Sequence, residues 1–422
     1  MSVRAEWNNL REVIMHRPGV EIDYAMLAPK PFLFERPYRT TMAVKEHEKL
    51  ERYLKEAGVR VKLLKDVVME MFESSGKFRE IFLEKILKIV RYEGDKESVS
   101  REEKAFRDNI SVLDPSTLFN LMLIEPSVLL KSEGETGPDY PSVNSNLPLA
   151  NLYFMRDQQA VSNGGIFFGR MRMRQRQKEN SITEFILRSV YENREQFKSI
   201  SSSGYFEGGD FMPAGDYAII GTGSRSDLDG ALAFINSGIS SAKEFLVVEN
   251  PIYDFMEKEP RDQMINMHLD TYFNFVSKDA AVTSPVLAKK AKGTIYSHSD
   301  GAPKKVSSTT LSAYLKSKGV EIIPLSIAEQ LSYSSNFLTL KENHLLAVDS
   351  SKVLRKLISQ NVFSPSTLAA IEHVLNVEGG SNMFPRSKAS KDYGLDFVTA
   401  NLSELTGGYG GAHCMTASII RG

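Results

Sequence analysis

The 422-residue sequence holds a single cysteine, Cys414, in the stretch Gly407-Gly-Tyr-Gly-Gly-Ala-His-Cys-Met-Thr416. A thiol becomes a nucleophile when a positive neighbour lowers its pKa from about 8.5. Glycines around it allow a loop to lie over a cavity mouth without side chains in the way. The other candidates are spread along the chain: Asp157 in Asn151-Leu-Tyr-Phe-Met-Arg-Asp157, Glu207 and Asp210 in Phe206-Glu-Gly-Gly-Asp210, His268 and Asp270 in His268-Leu-Asp-Thr271, and Asn336. A thiol, an imidazole and several carboxylates are the parts of nucleophilic catalysis with general acid–base help. Each has a plainer reading. A free Cys is most often a small buried apolar residue, a His near an Asp a structural pair, Glu-Gly-Gly-Asp a tight turn, and Asp157 a surface partner of Arg156. Their joint occurrence at equivalent points of a repeat favours chemistry.

For these residues to converge, a repeated unit must carry them. Leu10–His16 reads as a strand, Met42–Ala57 as a helix capped by Gly58, and Val59–Leu64 as an alternating strand. The phrase Lys55-Glu-Ala-Gly-Val-Arg-Val-Lys-Leu-Leu64 has a near copy at Lys316–Leu325. Hairpins are expected over Asn151–Met171 around Asn163-Gly-Gly165, Phe206–Ile220 around Ala214-Gly-Asp216, His268–Thr283 around Ser277-Lys-Asp279, and Asn336–Val348 around Lys341–His344. Asn-Gly suits such turns because both central residues need positive φ. Helical stretches follow at Ile182–Tyr191, Leu228–Ile235, Thr309–Leu315 and Pro365–Leu375, with strands at Phe245–Val248 and Phe397–Thr399. A fifth copy is complete only if a strand over Met415–Ile420 pairs with Leu10–His16. The expected fold is therefore α/β, a pseudo-fivefold propeller of ββαβ units. Asp157 then ends the first strand of one hairpin, Glu207 and Asp210 flank that of the next, and His268 and Asn336 open two more.

Residues 66–146 interrupt the repeat, leaving 1–65 and 147–422 as the propeller. Phe78, Ile81, Phe82, Ile86, Leu87 and Val90 recur at helical spacing. Ser100-Arg-Glu-Glu103 reads as a capping box, Asp114-Pro115 as an N-cap followed by a first-turn proline, and Gly134–Pro141 as a return linker. The expectation is an inserted helical bundle.

Composition narrows the function. With 52 Lys+Arg against 53 Asp+Glu, nothing points to electrostatic capture of nucleic acid or of an anionic membrane. One cysteine excludes an internal disulfide and a Cys-rich metal site, and the seven histidines include no H-x-x-x-H pair. No apolar run approaches the ~20 residues of a membrane span. A soluble protein of a reducing cytoplasm is expected.

The segments Leu10–Gly19, Asn151–Asp157, Glu207–Asp210, His268–Thr271, Ser335–Leu338 and Gly410–Thr416 together resemble the arginine deiminases, of the guanidino-modifying superfamily, over essentially the whole chain. The resemblance implies the same propeller, hydrolysis of L-arginine to L-citrulline and ammonia without metal or other cofactor, and a covalent thiouronium on the cysteine. The physical roles agree. A guanidinium stays protonated at neutral pH, so carboxylates must hold it, and Asp157 and Asp270 are the candidates. Cys414 attacks the central carbon, the bound cation itself favouring the thiolate. His268 protonates departing ammonia and deprotonates water, while Glu207 orients it or holds substrate nitrogens.

The family uses arginines for the substrate carboxylate. Arg225 in Gly221-Thr-Gly-Ser-Arg-Ser226 matches one, and Arg174 or Arg176 could fill the second; Asn151 and Asp210 complete the expected substrate contacts. The sequence departs from many relatives at Ala412, where they have Pro, and at Tyr409, in place of a common arginine. The rivals are a hydrolase of agmatine or methylated arginine, an amidinotransferase, and a non-catalytic propeller scaffold. Arg225 and the insertion favour free arginine, since agmatine has no carboxylate. An assembly of identical chains is expected.

Overall fold

A computed structural model describes residues 1–131, 140–191, 196–251, 264–298, 302–378 and 382–422. Its strands form small sheets among helices, a mixed α/β fold, and five of the sheets among the described residues share one pattern. A first strand runs antiparallel to a second, and the second lies parallel to a third that follows a helical stretch. The instances are Gln159–Ser162, Gly165–Phe168 and Phe197–Ser199; Phe211–Ala214, Tyr217–Thr222 and Glu244–Glu249; Phe273–Phe275, Ala280–Thr283 and Glu321–Pro324; and Leu338–Lys341, His344–Val348 and Asp396–Ala400. In the fifth, Ala417–Arg421 is antiparallel to Leu10–Met15, which is parallel to Arg60–Leu63. The inner strands are buried along their length, as in Gly165–Phe168 and Ala280–Thr283, which explains their unbroken apolar sequence. Among the described residues no helix is long and apolar enough to cross a membrane.

The duplicated helix–glycine–strand phrase has a backbone cause. Gly58 at φ 78 and Gly319 at φ 72 both adopt the left-handed conformation just past helices Thr40–Glu56 and Leu311–Ser317, where an L side chain would be strained. One turn and one helix start differ from expectation. In Asn163-Gly-Gly165 only Gly165 has positive φ, at 132, so this is not the turn with two left-handed central residues. Gly164 is required there for a different reason, since a Cβ would lie 2.5 Å from the Ile239 carbonyl oxygen. In the third of these units, Thr309 and Thr310 belong to a strand rather than to the helix. The segment after Ala280–Thr283 makes a further hairpin, Lys292–Ser297 and Lys304–Thr310, that extends the neighbouring sheet beside Glu244–Glu249.

The insertion is more than a helical bundle. Helices Leu64–Ser74, Gly76–Ile89, Lys96–Asn109 and Pro115–Ile124 are joined by a three-stranded sheet of Arg91–Glu93, Pro126–Lys131 and Tyr140–Ser145. Of the expected linker, residues 134–139 lie outside the described residues, and Tyr140 and Pro141 begin a strand. Asp114 caps its helix by accepting from Thr117 N–H at 2.9 Å. Ser100–Glu103 sits inside a helix whose N-cap is Asp95, because Asp95 supplies the carboxylate to the free N–H groups one turn earlier. Phe72, Phe82 and Phe119 of the insertion share one apolar cluster with Ile166, Phe168, Ile186 and Ile419, so the two regions are packed as one core.

The pairing of residues 417–421 with residues 10–15 covers Val13, Ile14 and Met15, each at most 1% exposed. Deleting residues 415–422 strips that cover and the sheet's first strand. The truncated protein is expected to lose its cooperative thermal transition by circular dichroism, and a native-like melt would show that this strand does not hold the fold together.

Candidate active site

The expected site residues do not end or flank strands; they occupy the turns that lead into the first strand of each unit. Asp157 lies in a turn before Gln159, Glu207 and Asp210 in a 3-10 turn before Phe211, His268 and Asp270 in another before Phe273, Asn336 just before Leu338, and Cys414 just before Ala417. Hydrogen bonds link these turns in a cycle. Cys414 O accepts from Arg156 N–H at 3.0 Å, and Asp157 O from Gly208 N–H at 2.8 Å. Asp210 Oδ1 accepts from Leu269 N–H at 2.9 Å. Asp270 O accepts from Asn336 Nδ2 at 2.9 Å. Asn336 Oδ1 accepts from Cys414 N–H at 3.0 Å. The fifth turn is thereby bonded back to the first.

The thiol sits between opposing influences. Asn336 Nδ2 donates to Cys414 Sγ at 3.0 Å, and Sγ lies 3.2 Å from Asp270 Oδ2. Burial, then the charges of Asp270 and Asp157, push the thiol well above its ordinary pKa, and the Asn336 donor opposes them only in part. Without a cation at hand the sulfur keeps its proton. Asp270 itself is held low: burial works against its charge, but His413 at 2.8 Å outweighs it.

A second charged group is built on Asp157. His268 Nε2 is 2.8 Å from Glu207 Oε2 and its Nδ1 is 3.6 Å from Asp157 Oδ1. Burial disfavours the imidazolium, yet Asp157 and Glu207 outweigh burial and raise His268 to about 9. Glu207 is lowered to about 2, since Arg225 and His268 outweigh its burial. Gly209 makes the approach possible, because a Cβ there would lie 2.8 Å from Asp157 Oδ1 and 2.9 Å from His268 Nδ1. Asp157, Glu207 and His268 are also close enough to share a metal ion, but an imidazole that keeps its proton to about pH 9 is a poor ligand.

A cavity of roughly 10 Å³ reaches the sulfur, lined in part by Asn151, Asp157, Arg176, Arg225, Tyr409 and Cys414. That is room for about one water. Of the two arginines weighed for a carboxylate, Arg174 is exposed and Arg176 is buried at the cavity. Arg176 is fully engaged: it donates to Asp157 Oδ2 at 2.6 Å, to Glu179, and to Asn151 O at 3.3 Å. Asp157 therefore pairs with Arg176 and not with its neighbour Arg156, whose partner is Glu6 at 3.2 Å. Arg225 is different. Among the described residues its Nη2 meets the sulfurs of Met264 and Met267, at 3.2 and 3.3 Å, and its buried Nη1 has no hydrogen-bond partner. Burial pulls its pKa down despite Glu207. Asp157 Oδ1, Asp270 Oδ1 and His268 Nδ1 are likewise buried without a hydrogen bond. Unpaired buried polar atoms are costly, and the two carboxylate acceptors Asp157 Oδ1 and Asp270 Oδ1, with the guanidinium donor Arg225 Nη1, complement a cation carrying a distant anion.

Asn151 is tied to the structure through Nδ2, which donates to Phe32 O at 2.8 Å. Asp210 does not line the cavity; besides Leu269 N–H it accepts from Asn250 Nδ2 at 2.8 Å, and burial pushes its carboxyl up. Sequence reasoning gave no task to His413, Glu6, Glu179 or Arg421. His413 had a signal, its place beside the cysteine; Glu6 and Arg421 had none, because their meeting depends on the pairing of distant segments.

Residues 30–421 match the family model described as arginine deiminase. The arginine deiminase of Rhodococcus erythropolis is 27% identical, over 100% of this chain and 97% of the relative. That of Halobacterium salinarum is 23% identical, over 99% and 96%. Among solved structures, an amidinotransferase of saxitoxin biosynthesis from Microseira wollei aligns with TM-score 0.52 at 14% identity, over 100% of this chain and 97% of that one. The N-terminal domain of a cyanobacterial arginine dihydrolase aligns with TM-score 0.51 at 13% identity, over 97% of each. These two show a shared fold, and the family match over residues 30–421 shows that the chain belongs to the arginine deiminase family.

Proposed function

We propose that this protein hydrolyses L-arginine to L-citrulline and ammonia through a thiouronium on Cys414. The catalytic body is a pseudo-fivefold α/β propeller of residues 1–65 and 147–422, with 66–146 inserted. Support for the propeller comes from the five sheets of common pattern and the cycle of bonded turns. The observation that carries the function is the set of unpartnered buried atoms around the thiol: Asp157 Oδ1, Asp270 Oδ1, His268 Nδ1 and Arg225 Nη1.

A guanidinium between Asp157 and Asp270 brings a positive charge to the two anions that hold the thiol protonated, so binding favours the thiolate. The sulfur attacks the central carbon, and a C–N bond breaks. His268, protonated up to about pH 9, gives its Nδ1 proton to the departing nitrogen and is left neutral, and the proton released by the thiol leaves with the ammonia as ammonium. Water then adds to the same carbon and gives one proton to His268; the S–C bond breaks, the second proton of the water returns to the sulfur, and citrulline is released. Glu207 fixes the imidazole through Nε2. Arg225 takes the substrate carboxylate, and Arg176 holds Asp157. The cavity is far smaller than any amino acid, so entry requires the covering Leu33 and Tyr409 to move; both already hold left-handed backbones, at φ 66 and φ 70, a cost of about 1 kcal/mol or more each.

Three measurements follow. Incubated with arginine, agmatine and methylarginine, the protein is expected to release ammonia and ureido product from arginine, and Cys414→Ser to release none; turnover by the Ser variant, or none by the wild type, rejects the proposal. Arg225→Ala is expected to raise KM for arginine by about tenfold or more, and an unchanged KM removes Arg225 from the carboxylate role. His268 offers a pH test. Its proton is bound more tightly in the folded state, so the stability it supplies is complete below about pH 6.5 and is lost as pH rises through about 9. In urea melts the stability advantage of wild type over His268→Gln should shrink across that window by up to about 3 kcal/mol; a constant difference would mean that His268 is neutral.

A further inference from the structure

Behind Asp270 lies a buried charged group that the reaction above does not use. Asp270 Oδ2 takes two neighbours, Cys414 Sγ at 3.2 Å and His413 Nδ1 at 2.8 Å. On the far side of the ring, His413 Nε2 is 3.7 Å from Glu6 Oε2. Glu6 is held in turn by Arg156 Nη1 at 3.2 Å and Arg421 Nη2 at 3.1 Å. His413 and Asp270 are wholly buried and Glu6 is 1% exposed. Burial opposes the charge of Glu6, but Arg156 and Arg421 outweigh it and keep the carboxyl well below its ordinary value. Arg421 is anchored further by donating to Asn8 O and Thr339 O. Glu6 lies ahead of the segment matched to the family model.

The geometry bears directly on the nucleophile. Two donors on one carboxylate oxygen fix its plane and leave Oδ1 unpartnered. A thiolate formed 3.2 Å from Oδ2 would be repelled by the full charge of a carboxylate that nothing else engaged. An N–H on the same oxygen draws that charge away from the sulfur, and an anion behind the ring keeps the imidazole turned that way.

We infer that His413, backed by Glu6, is a positioning residue that pins Asp270 Oδ2, so that Oδ1 meets the substrate cation and the carboxylate weighs less on Cys414. This deepens the deiminase reading and rests on it for the identity of the cation, but its effect on the thiol can be read without turnover.

Cys414 is the only cysteine, so its alkylation by iodoacetamide can be followed by intact mass as pH is varied, in wild type, His413→Asn, His413→Leu and Glu6→Gln. The charges that bear on this titration are Asp270 and Asp157, with His268 beside them and His413 and Glu6 behind; only the last two change. Asn keeps a donor near the place of Nδ1 and Leu does not. The alkylation midpoint of His413→Leu should move to higher pH, with at least about tenfold slower reaction near neutrality. His413→Asn should stay near wild type, and Glu6→Gln should fall between. The kcat/KM for arginine should follow the same order.

A midpoint common to all variants that melt like wild type, or His413→Asn as impaired as His413→Leu, overturns the inference. Should His413→Leu fail to fold, the comparison of Glu6→Gln with wild type and His413→Asn decides it, an unshifted Glu6→Gln counting against. If wild type does not turn over arginine, the deiminase reading falls while the alkylation midpoints still judge the pair.

Discussion

Buried charge has to be compensated, and the centre of this protein is organised by that requirement. Moving an ion out of water costs several kcal/mol even after relaxation. Yet Glu6, Asp157, Glu179, Glu207 and Asp270 are all enclosed, as are Arg156, Arg176, Arg225 and Arg421. Most are matched locally: Arg176 with Asp157 and Glu179, His268 with Glu207, and Glu6 with Arg156 and Arg421. Near the sulfur the carboxylate atoms Asp157 Oδ1 and Asp270 Oδ1 stand without donors, and Arg225 Nη1 has no hydrogen-bond partner among the described residues; behind the site Glu6 Oε2 and Arg421 Nε are also without one. On the proposed function, Asp157 Oδ1 and Asp270 Oδ1 receive the substrate's guanidinium and Arg225 Nη1 its carboxylate.

Rigidity follows from the same constraint. Each of the five turns is bonded to the next through backbone groups or through Asp210 and Asn336. Asn336 engages Cys414 at both N–H and sulfur, and also the carbonyl of Asp270. A side chain serving three groups at once leaves the thiol little freedom to turn from the cavity, which is the preorganisation that covalent catalysis needs. The covering loops are the opposite case: left-handed Leu33 and Tyr409 are held there by their surroundings, with Lys30 donating to the Tyr409 hydroxyl at 3.1 Å.

What could be read from the sequence was local. The repeat was visible because a left-handed glycine after a helix, as at Gly58 and Gly319, and a buried strand each leave a short signature. The site residues were visible because each motif spans only a few positions. The electrostatic partners were not. Arg176 with Asp157 and His413 with Glu6 are meetings of side chains from different units, and no spacing along the chain encodes them. For the same reason Arg156 looked like the partner of Asp157, though it reaches Glu6 instead. The hairpin Lys292–Thr310 escaped notice because it joins the sheet of the preceding unit rather than its own. The sheet of the insertion escaped because Arg91–Glu93 is only three residues long.

The pairing of residues 10–15 with 417–421 also has a meaning in time. Contacts between segments so far apart in sequence are the slowest to form, since the loop between them must close first. During synthesis the segments carrying Asp157, Glu207, His268 and Asp270 emerge long before Cys414, and domains fold as the chain appears. A nascent chain can thus assemble the turns that carry these carboxylates while it still lacks the sulfur. On the proposed function, chemical competence arrives with the strand that pairs residues 417–421 with 10–15, so a molecule in which that pairing has not formed does not hold Cys414 in place.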